Sequence, residues 1–445
     1  MLIEIRSEVP HPMKQRNKLL ALILSLAMAL SLSSTAAIPA FAIGGADSSA
    51  SQSSIDSTAF LNELTKSAVR DRFAGGSGTA SDPWQITDAS QMSAMRFRPQ
   101  DHFVLCNDID MSTVSHWTPI GLFLPQMTDM EEASTTFAWC GELDGNGKTI
   151  RNFTASSAQP MGIALFGVTA GDAYIHDLTM ENCNVSGLMY VGSLVGLASG
   201  NTTLRNIDLI GTNNIKGLMY VGGLVGGGSN PVNENLSASA NVTMTAKGLM
   251  KSMNAQAAGV LYGGAEGCNF ENCRAHDGTV TALGSKVNSI GGLAGCAHQS
   301  GFVKNCTAEN ITINVADAVM VGGLVGASAN NEGLTDCTKR TLFSGNTVSN
   351  VTIQADAAAE RIGMLTGGGF YTASTKKDFA EPGAFVLTDN TVSGTINGGK
   401  YVGAVTAYLS RNSVVANNTT NVLWNGNPLT AACGADTVSV PVSQL

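Results

Sequence analysis

The stretch Tyr190-Val191-Gly192-Ser193-Leu194-Val195-Gly196 decides the fold, because it recurs along the chain. Tyr220 to Gly226 repeats it closely, and Ile290 to Gly295 and Val321 to Gly326 carry shorter copies. Weaker copies of the same pattern lie at Ile163, Gly259, Gly363 and Gly403. Measured from Ile163 in the first copy and from the first glycine of each later copy, successive copies are 29 to 41 residues apart. Self-similarity at such a period predicts a solenoid of stacked repeats.

Each copy is too short to bury its own apolar side chains, so stacked copies must bury one another. Val, Leu and Ile favour strands, and glycine within a strand marks a bend or a close backbone approach. Further strand-like pieces lie between the copies at Ile311 to Val315 and Val351 to Ile353, and no long helical period separates them. A chain that winds so that each coil pairs with the next satisfies the demands of parallel pairing. We therefore predict an all-β, right-handed parallel β-helix.

The glycines and leucines of the four clear copies are the predicted structural repeat positions, as opposed to catalytic, metal-binding or cofactor-binding residues. They are Gly192, Leu194, Gly196, Gly222, Leu224, Gly226, Gly291, Leu293, Gly295, Gly322, Leu324 and Gly326.

A second station of the repeat carries small polar or thiol residues. Alignment of the strand-like pieces places Asn272-Cys273, Asn305-Cys306 and Gly345-Asn346 together. Three further pairs look alike: Asn182-Cys183, Asp336-Cys337 and Asp389-Asn390. We interpret the station as a stacked side-chain ladder and not as a metal or redox site, because the chain lacks Cys-x-x-Cys pairs and Cys/His ligand spacing.

The beginning of the chain has the features of an export signal. Lys14, Arg16 and Lys18 precede the apolar run Leu19 to Leu32, and Ala40-Phe41-Ala42 supplies a small-x-small cleavage site. We expect a signal peptide over residues 1–42 and a secreted, extracellular protein that can associate with the cell surface. No later apolar run approaches the ~20 residues of a membrane span, so we expect none.

Composition shifts divide the rest of the chain. Residues 43–77 are a Ser/Gly-rich segment with a possible capping helix over Thr58 to Phe73. Residues 78–160 form a lead-in module, in which Trp84 to Ile86 is a predicted strand and Asp88 or Thr87 caps a short helix ending at Phe97. The repeats proper run over 161–410, and 411–445 holds a last coil and a tail.

Charge and cysteine content exclude two function classes. The formal net charge is −9 with a charged fraction of 13%, which argues against a surface that binds the phosphates of nucleic acid. Nine cysteines in an exported chain of this length do not make a disulfide scaffold. Cys268 with Cys273, and Cys106 with Cys140, remain open as bridges, because the sequence alone decides neither pair.

At this point the repeats resemble a known family. The Tyr-Val-Gly-Gly-Leu-Val-Gly copies are similar to the GLUG motif of bacterial surface and secreted proteins, which include adhesin-like proteins and the non-catalytic repeat region of immunoglobulin A peptidases. The lead-in segments Gly78 to Ile86, Asn107 to Asp110, Trp117 to Gly121 and Leu143 to Ile150 resemble those that precede GLUG arrays.

The resemblance covers about residues 78 to 410, and the order of its motifs is more specific than any single copy. It implies a β-helix in an exported bacterial protein. It does not imply a catalytic site, because the peptidase activity of that family lies in a separate region with a His-Glu-x-x-His motif, which is absent from this chain.

Two groups of carboxylates are the most site-like in the chain. Asp144-Gly145-Asn146-Gly147 superficially resembles a calcium loop, but lacks the later acidic ligand and is interpreted as a turn. Asp108 and Asp110 lie on one face of an extended chain and could serve as paired carboxylates for glycoside chemistry, but at the end of a lead-in strand we interpret them as solvated or capping groups. His176-Asp177 is an adjacent pair on a predicted strand, and adjacent strand residues face opposite sides.

These features predict a non-catalytic β-helical repeat protein that acts in adhesion, binding an extracellular or host protein or glycan without a cofactor. The oligomeric state is open. Extra residues predicted near Asn230 to Ser252, Asn331 to Phe343 and Thr372 to Pro382 favour a binding face on one flank of the solenoid. The alternatives are a polysaccharide lyase or hydrolase on a β-helix, or a shortened peptidase relative that keeps only its repeat region. Asp, Arg and Lys clustered on one face over adjacent coils would favour the enzyme.

Overall fold

The protein is an all-β parallel β-helix. The computed structural model describes residues 72–122, 138–156, 161–245, 256–282, 284, 287–298, 301–328, 341–368, 385–408 and 413–434. Neighbouring strands of each sheet run parallel, apart from one antiparallel pair at the end of the described chain. The predicted signal peptide over residues 1–42 and nearly all of the predicted capping helix over Thr58 to Phe73 lie outside these residues. Handedness is left as a prediction.

Three sheets run along the axis of the described helix. The first sheet is formed by β1 (Trp84–Ile86), β2 (His102–Leu105), β3 (Ile109–Asp110), β4 (Glu142–Arg151), β5 (Thr154–Ser156), β8 (Tyr174–Glu181), β9 (Asn184–Ser186), β12 (Thr203–Ile210), β13 (Asn214–Gly217), β16 (Val232–Ala238), β17 (Asn241–Met244), β20 (Asn269–Glu271), β21 (Arg274–Ala282), β24 (Phe302–Lys304), β25 (Thr307–Val315), β28 (Thr341–Ser344), β29 (Thr347–Ala355), β31 (Phe385–Thr388), β32 (Thr391–Asn397), β34 (Val414–Ala416), β35 (Thr419–Trp424) and β36 (Asn427–Pro428).

The second sheet is formed by β6 (Met161–Ile163), β10 (Met189–Val191), β14 (Met219–Gly222), β18 (Ala257–Gly259), β22 (Val287–Gly291), β26 (Ala318–Gly322), β30 (Arg361–Gly363) and β33 (Tyr401–Gly403). The third sheet is formed by β7 (Phe166–Thr169), β11 (Val195–Ala198), β15 (Val225–Ser229), β19 (Tyr262–Glu266), β23 (Ala294–His298) and β27 (Val325–Ala327).

The strand register aligns the copies of the signature as their spacing in the sequence predicts, except at the first copy. Gly222 pairs with Gly259, and Gly322 pairs with both Gly291 and Gly363. Ile163, however, pairs with Val191 and not with Gly192. Ile163 is therefore one residue away from the position that the first glycine has in later copies, because the first copy has one residue fewer between its second-sheet and third-sheet strands.

The signature forms the corner between the second and third sheets. Its leucines, Leu194, Leu224, Leu293 and Leu324, are fully buried. A Cβ on Gly322 would lie 2.0 Å from the carbonyl oxygen of Val325, and one on Gly196 would lie 2.6 Å from the Cα of Gly162. None of the twelve predicted repeat positions has a positive φ. The glycines are therefore needed for close backbone approach and not for left-handed geometry.

The first sheet bends where Asn and Asp residues adopt positive φ, as their short polar side chains allow. At one bend the side-chain amides form a ladder along the axis: Asn206 donates to Asp177, Asn235 to Asn206, and Asn272 to Asn235, over 2.8 to 3.2 Å. Each bend therefore hydrogen-bonds to the same bend of the next coil.

Immediately after this bend lies the predicted Asn–Cys station, and its side chains point inward. Cys273, Cys306, Asn346, Asn390 and Asn418 are level with one another in successive coils. The buried asparagines cap backbone groups of the neighbouring coil, with the Oδ1 of each accepting the N–H of the residue before it in the column.

One expectation about cysteine is wrong, because Asn182-Cys183 does not lie at the station. Cys183 lies at the next bend, level with Asn213, whose Oδ1 accepts its backbone N–H at 2.7 Å. Leu178 occupies the station in that coil, and Asn182-Cys183 resembles the station because Asn182, like Asn272, is a bend residue with positive φ. Cys106, Cys140, Cys268 and Cys273 are free thiols, so neither of the two bridges that the sequence left open is formed. Asp336-Cys337 falls outside the described residues.

The lead-in strands belong to the same first sheet. The predicted strand is β1, and the predicted helix is α1 (Ala89–Ala94), which continues as a 3-10 helix over Met95–Phe97. Asp88 is its N-cap, accepting the N–H of Gln91 at 2.9 Å, as predicted. Phe73 stacks on Trp84 with ring centroids 5.0 Å apart.

The predicted inserts have mixed outcomes. Residues 230–245 are regular and pair with both neighbouring coils, so the extra length of that repeat falls at 246–255, outside the described residues. Most of Asn331 to Phe343 and all of Thr372 to Pro382 also lie outside them.

Candidate functional site

Five ionisable side chains meet on the outward face of the first sheet. We call them the His–carboxylate cluster: His102, Glu142, Asp144, His176 and Asp177. The strands β2, β4 and β8 are neighbours, and the register places His102 beside Glu142 and Asp144 beside His176. Residues about 30 to 40 positions apart in sequence are thereby brought onto adjacent coils.

His176 lies at the centre of the cluster and is the least exposed of its members, at 11%. Its Nδ1 is 2.7 Å from Asp177 Oδ2 and 3.8 Å from Asp144 Oδ1, and its Nε2 is 3.1 Å from Glu142 Oε1. The other oxygen of Glu142 is 2.7 Å from His102 Nδ1. The imidazole of His176 is thus surrounded by three carboxylates, and the imidazole of His102 contacts the other oxygen of one of them, Glu142.

The contact between His176 and Asp177 contradicts the expectation that adjacent residues of a strand face opposite sides. Asp177 has a φ of 54°, so the chain bends at this residue and returns its side chain to the face of His176. Hydrogen bonds from His176 and then Asn206 hold the pKa of Asp177 below its ordinary value. The bend is therefore what assembles the site.

An aromatic and charged group extends the cluster to the next coils. The ring of Tyr174 stacks on His176 with centroids 4.1 Å apart. The guanidinium of Arg205 lies 5.8 Å from the centroid of Tyr174 and donates to Glu234 Oε2 at 2.7 Å. Arg274 makes the same kind of cross-coil pair with Glu309.

A second His–Asp pair escaped the sequence analysis. His276 Nδ1 is 2.8 Å from Asp277 Oδ2, and Asp277 also has a positive φ, of 47°. His276 Nε2 is 3.2 Å from Ser237 Oγ on the preceding coil. Asn310 donates to Asp277 in the same way as Asn206 donates to Asp177. The dipeptide His-Asp was the signal available in the sequence.

The carboxylates singled out from the sequence have structural partners. Asp108 accepts the N–H of Thr149 at 3.0 Å, and Asp110 accepts the N–H of Ser112 at 2.9 Å and the amide of Asn152 at 3.0 Å. Both are capping groups, as the interpretation preferred from the sequence predicts.

The calcium-like segment is a bulge within β4. The register shifts between Asp144 and Lys148, Asn146 and Gly147 have positive φ, and Asp144 Oδ1 accepts the N–H of Asn146 at 2.7 Å. The turn chemistry expected here is present. What sequence analysis missed is that the strand pairing places Asp144 beside His176, with its Oδ1 3.8 Å from the ring Nδ1.

Comparison with known proteins gives partial likenesses. No family model matches the chain. Over 141 residues, or 31% of the chain, it is 31% identical to Halomucin of Haloquadratum walsbyi (strain DSM 16790 / HBSQ001), and the match spans 2% of that protein's length. A solved structure of IgA1 Protease aligns with 75% of this chain and 21% of its own, at a TM-score of 0.45 and 17% identity.

The described residues contain no helix that is both long and apolar enough to cross a bilayer.

Proposed function

We propose that the chain is the β-helical repeat part of an exported bacterial surface protein of the GLUG-motif type. In this proposal the outward face of the first sheet binds an extracellular protein or glycan, and the chain performs no catalysis. The export signal, the repeat pattern and the low charge described above support this assignment.

The observation that carries the proposal is the way charge is arranged on this face. Arg205 pairs with Glu234 and Arg274 pairs with Glu309, each across neighbouring coils. The residues Thr307, Thr347, Thr391 and Thr419 form a polar row in successive coils. Coils about 4.8 Å apart repeat such groups at a fixed spacing, which suits an extended polymer lying along the axis.

Carboxylate pKa directions favour binding over glycoside chemistry. A general acid needs a raised pKa, whereas hydrogen bonds lower the pKa of Asp110, Asp177 and Asp277. Burial raises the pKa of Asp208, but its register neighbours are Thr179 and Ser237. Asp208 therefore has no carboxylate beside it in the register to serve as the second group.

The test is a binding screen of the purified, secreted chain on arrays of glycans and extracellular matrix proteins. Arg205→Ala together with Arg274→Ala should lower binding to the captured ligand at least tenfold. Arg361→Ala, the same change on the second sheet, is the matched control and should leave binding unchanged. Equal loss in both variants, or turnover of any polysaccharide in a parallel activity screen, would overturn the proposal.

One observation favours a second candidate, a hydrolase. Ser237, His276 and Asp277 have the order of contacts found in a nucleophile, base and orienting acid. Ser237 lies in a strand paired on both sides, at Asp208 and at Arg274, so its strand offers few free N–H groups for an oxyanion. Hydrolysis of activated esters that disappears in Ser237→Ala, with the fold retained by circular dichroism, would favour this candidate.

A further inference from the structure

The His–carboxylate cluster contains a set of metal-ligating atoms. One ligand atom from each of Asp144, His176 and Asp177 lies within 4.8 Å of the other two. Ligand atoms around a metal ion with bonds of about 2.0 to 2.2 Å are separated by roughly 3 to 3.5 Å, so small rotations of the half-exposed carboxylates close the site. His176 itself is nearly buried between its neighbours and needs no movement.

The ring of His176 is oriented as in a metal-bound histidine. Its Nδ1 points towards Asp144 and Asp177, while its Nε2 faces Glu142 at 3.1 Å. A histidine that binds metal through one nitrogen usually donates the other N–H to a carboxylate, which fixes the tautomer and the ring plane. Glu142 is fixed in turn by His102 at 2.7 Å, and Tyr174 stacks on the ring of His176.

The charge of the cluster also favours a bound cation. Glu142, Asp144 and Asp177 contribute three carboxylates around one imidazole, and a carboxylate oxygen can only accept. A ring with a single N–H presents a lone pair to one of these carboxylates, and this contact is relieved either by a second proton on the ring or by a metal ion. A metal ion between Nδ1 and the two aspartates removes this repulsion and leaves the N–H for Glu142.

We propose that Asp144, His176 and Asp177 bind a divalent transition-metal ion of the Zn²⁺ type. Glu142 and His102 act as positioning residues for His176. The nitrogen ligand selects against Ca²⁺ and Mg²⁺, which prefer all-oxygen sites. Asp144 and Asp177 are 40% and 46% exposed, so the remaining coordination positions open to solvent and to an external ligand.

The chain supplies its own control. His276 and Asp277 form the same kind of contact, at a positive-φ aspartate that accepts from an asparagine of the next coil, but they lie at the other bend of the first sheet. Ser237 is on the Nε2 side, where His176 has Glu142, and among the described residues no third metal-ligating side chain joins this pair. This pair lacks the third ligand and should bind no metal. It therefore separates metal binding from the structural role of a His–Asp bend.

The experiment titrates the chelator-treated full chain with Zn²⁺ by calorimetry and follows Co²⁺ by its visible absorption. We expect one Zn²⁺ per chain, a Co²⁺ band, and at least tenfold weaker binding of both ions in Asp144→Asn and in His176→Gln. Glu142→Gln should weaken binding about 10- to 100-fold while the stoichiometry stays at one. His276→Gln should bind as the wild type does.

Circular dichroism verifies that each variant is folded, and Asp144→Asn, which changes one exposed oxygen, guards against misfolding in the histidine variant. Failure of the wild type to bind Zn²⁺, equal loss in His276→Gln, or tighter binding of Ca²⁺ than of Zn²⁺ would overturn the proposal. None of these measurements uses a glycan or protein ligand, so their outcome is independent of the proposed adhesion.

Discussion

Removal of one buried asparagine side chain should destabilise the last coils of the helix measurably. In Asn390→Ala four hydrogen bonds are lost. Oδ1 accepts from the backbone N–H of Asn346 at 3.0 Å and from its side-chain amide at 2.9 Å. Nδ2 donates to the carbonyl of Phe343 at 3.1 Å and to Asn418 Oδ1 at 2.8 Å. Asn390 is fully buried, so water cannot replace these partners.

The magnitude depends on which groups lose their only partner. The side-chain amide of Asn346 keeps its bond to Val303, and Asn418 Oδ1 keeps the backbone N–H of residue 390. The backbone N–H of Asn346 loses the acceptor that caps it, which costs about 1 to 3 kcal/mol, and the remaining bonds contribute about 1 kcal/mol. We therefore expect the free energy of unfolding to fall by about 2 to 4 kcal/mol.

Urea denaturation followed by far-UV circular dichroism measures this change, and hydrogen exchange localises it to the coils around Asn346 and Asn418. The control is Asn397→Ala, which removes one exposed bond to Gln354 at 3.2 Å and should change stability by less than about 0.5 kcal/mol. Equal effects of the two substitutions would refute the argument that the buried ladder stabilises the solenoid.

Three further predictions follow from the same geometry. Gly322→Ala should lower the free energy of unfolding by about 3 kcal/mol or more in thermal and urea denaturation, because its Cβ would lie 2.0 Å from a backbone oxygen. Gly426→Ala is the control: its Cβ meets open space but its φ is +80°, so it should cost only about 1 to 2 kcal/mol. The reverse order of the two effects would contradict the close-approach argument. The hydrogen bond from His276 holds the pKa of Asp277 below its unfolded value. The contribution of Asp277 to stability is therefore present above about pH 4 and is lost as the pH falls through the lower folded pKa. The difference in free energy of unfolding between the wild type and Asp277→Asn should shrink from pH 6 to pH 3, and a constant difference would contradict this prediction. Burial raises the pKa of the Cys183 thiol to about 12, whereas Cys106 is only partly buried. Iodoacetamide at pH 8 should therefore label Cys106 in the native protein long before Cys183, as measured by peptide mass spectrometry. Equal labelling rates would mean that Cys183 is accessible.

Much of the fold follows from local pattern. The signature at Gly192 to Gly196 predicts both the period and the close contact, because only a missing side chain lets backbones of adjacent coils approach to this degree. The cap at Asp88 is equally local, since it depends on a carboxylate three residues before a free N–H.

The parts that sequence analysis missed depend on small changes of register. One residue fewer in the corner after Ile163 shifts the alignment of the first copy. Asparagines with positive φ occur at both bends of a coil, so Asn182-Cys183 resembles the station of Cys273 although it lies at the other bend. Neither difference can be detected by comparing dipeptides in the sequence, because the pairing of coils is set by burial over whole strands.

The sequence by itself determined that this protein is an array of stacked coils, because the spacing of glycines and branched residues leaves no other way to bury them. The tertiary structure alone decided where its ionisable groups meet. His102, Glu142 and His176 come from three separate strands, and only their pairing places them in contact. The same pairing places Asp144 beside His176, and the left-handed bend at Asp177, which Asn206 of the next coil holds by a hydrogen bond, turns a second carboxylate towards this imidazole.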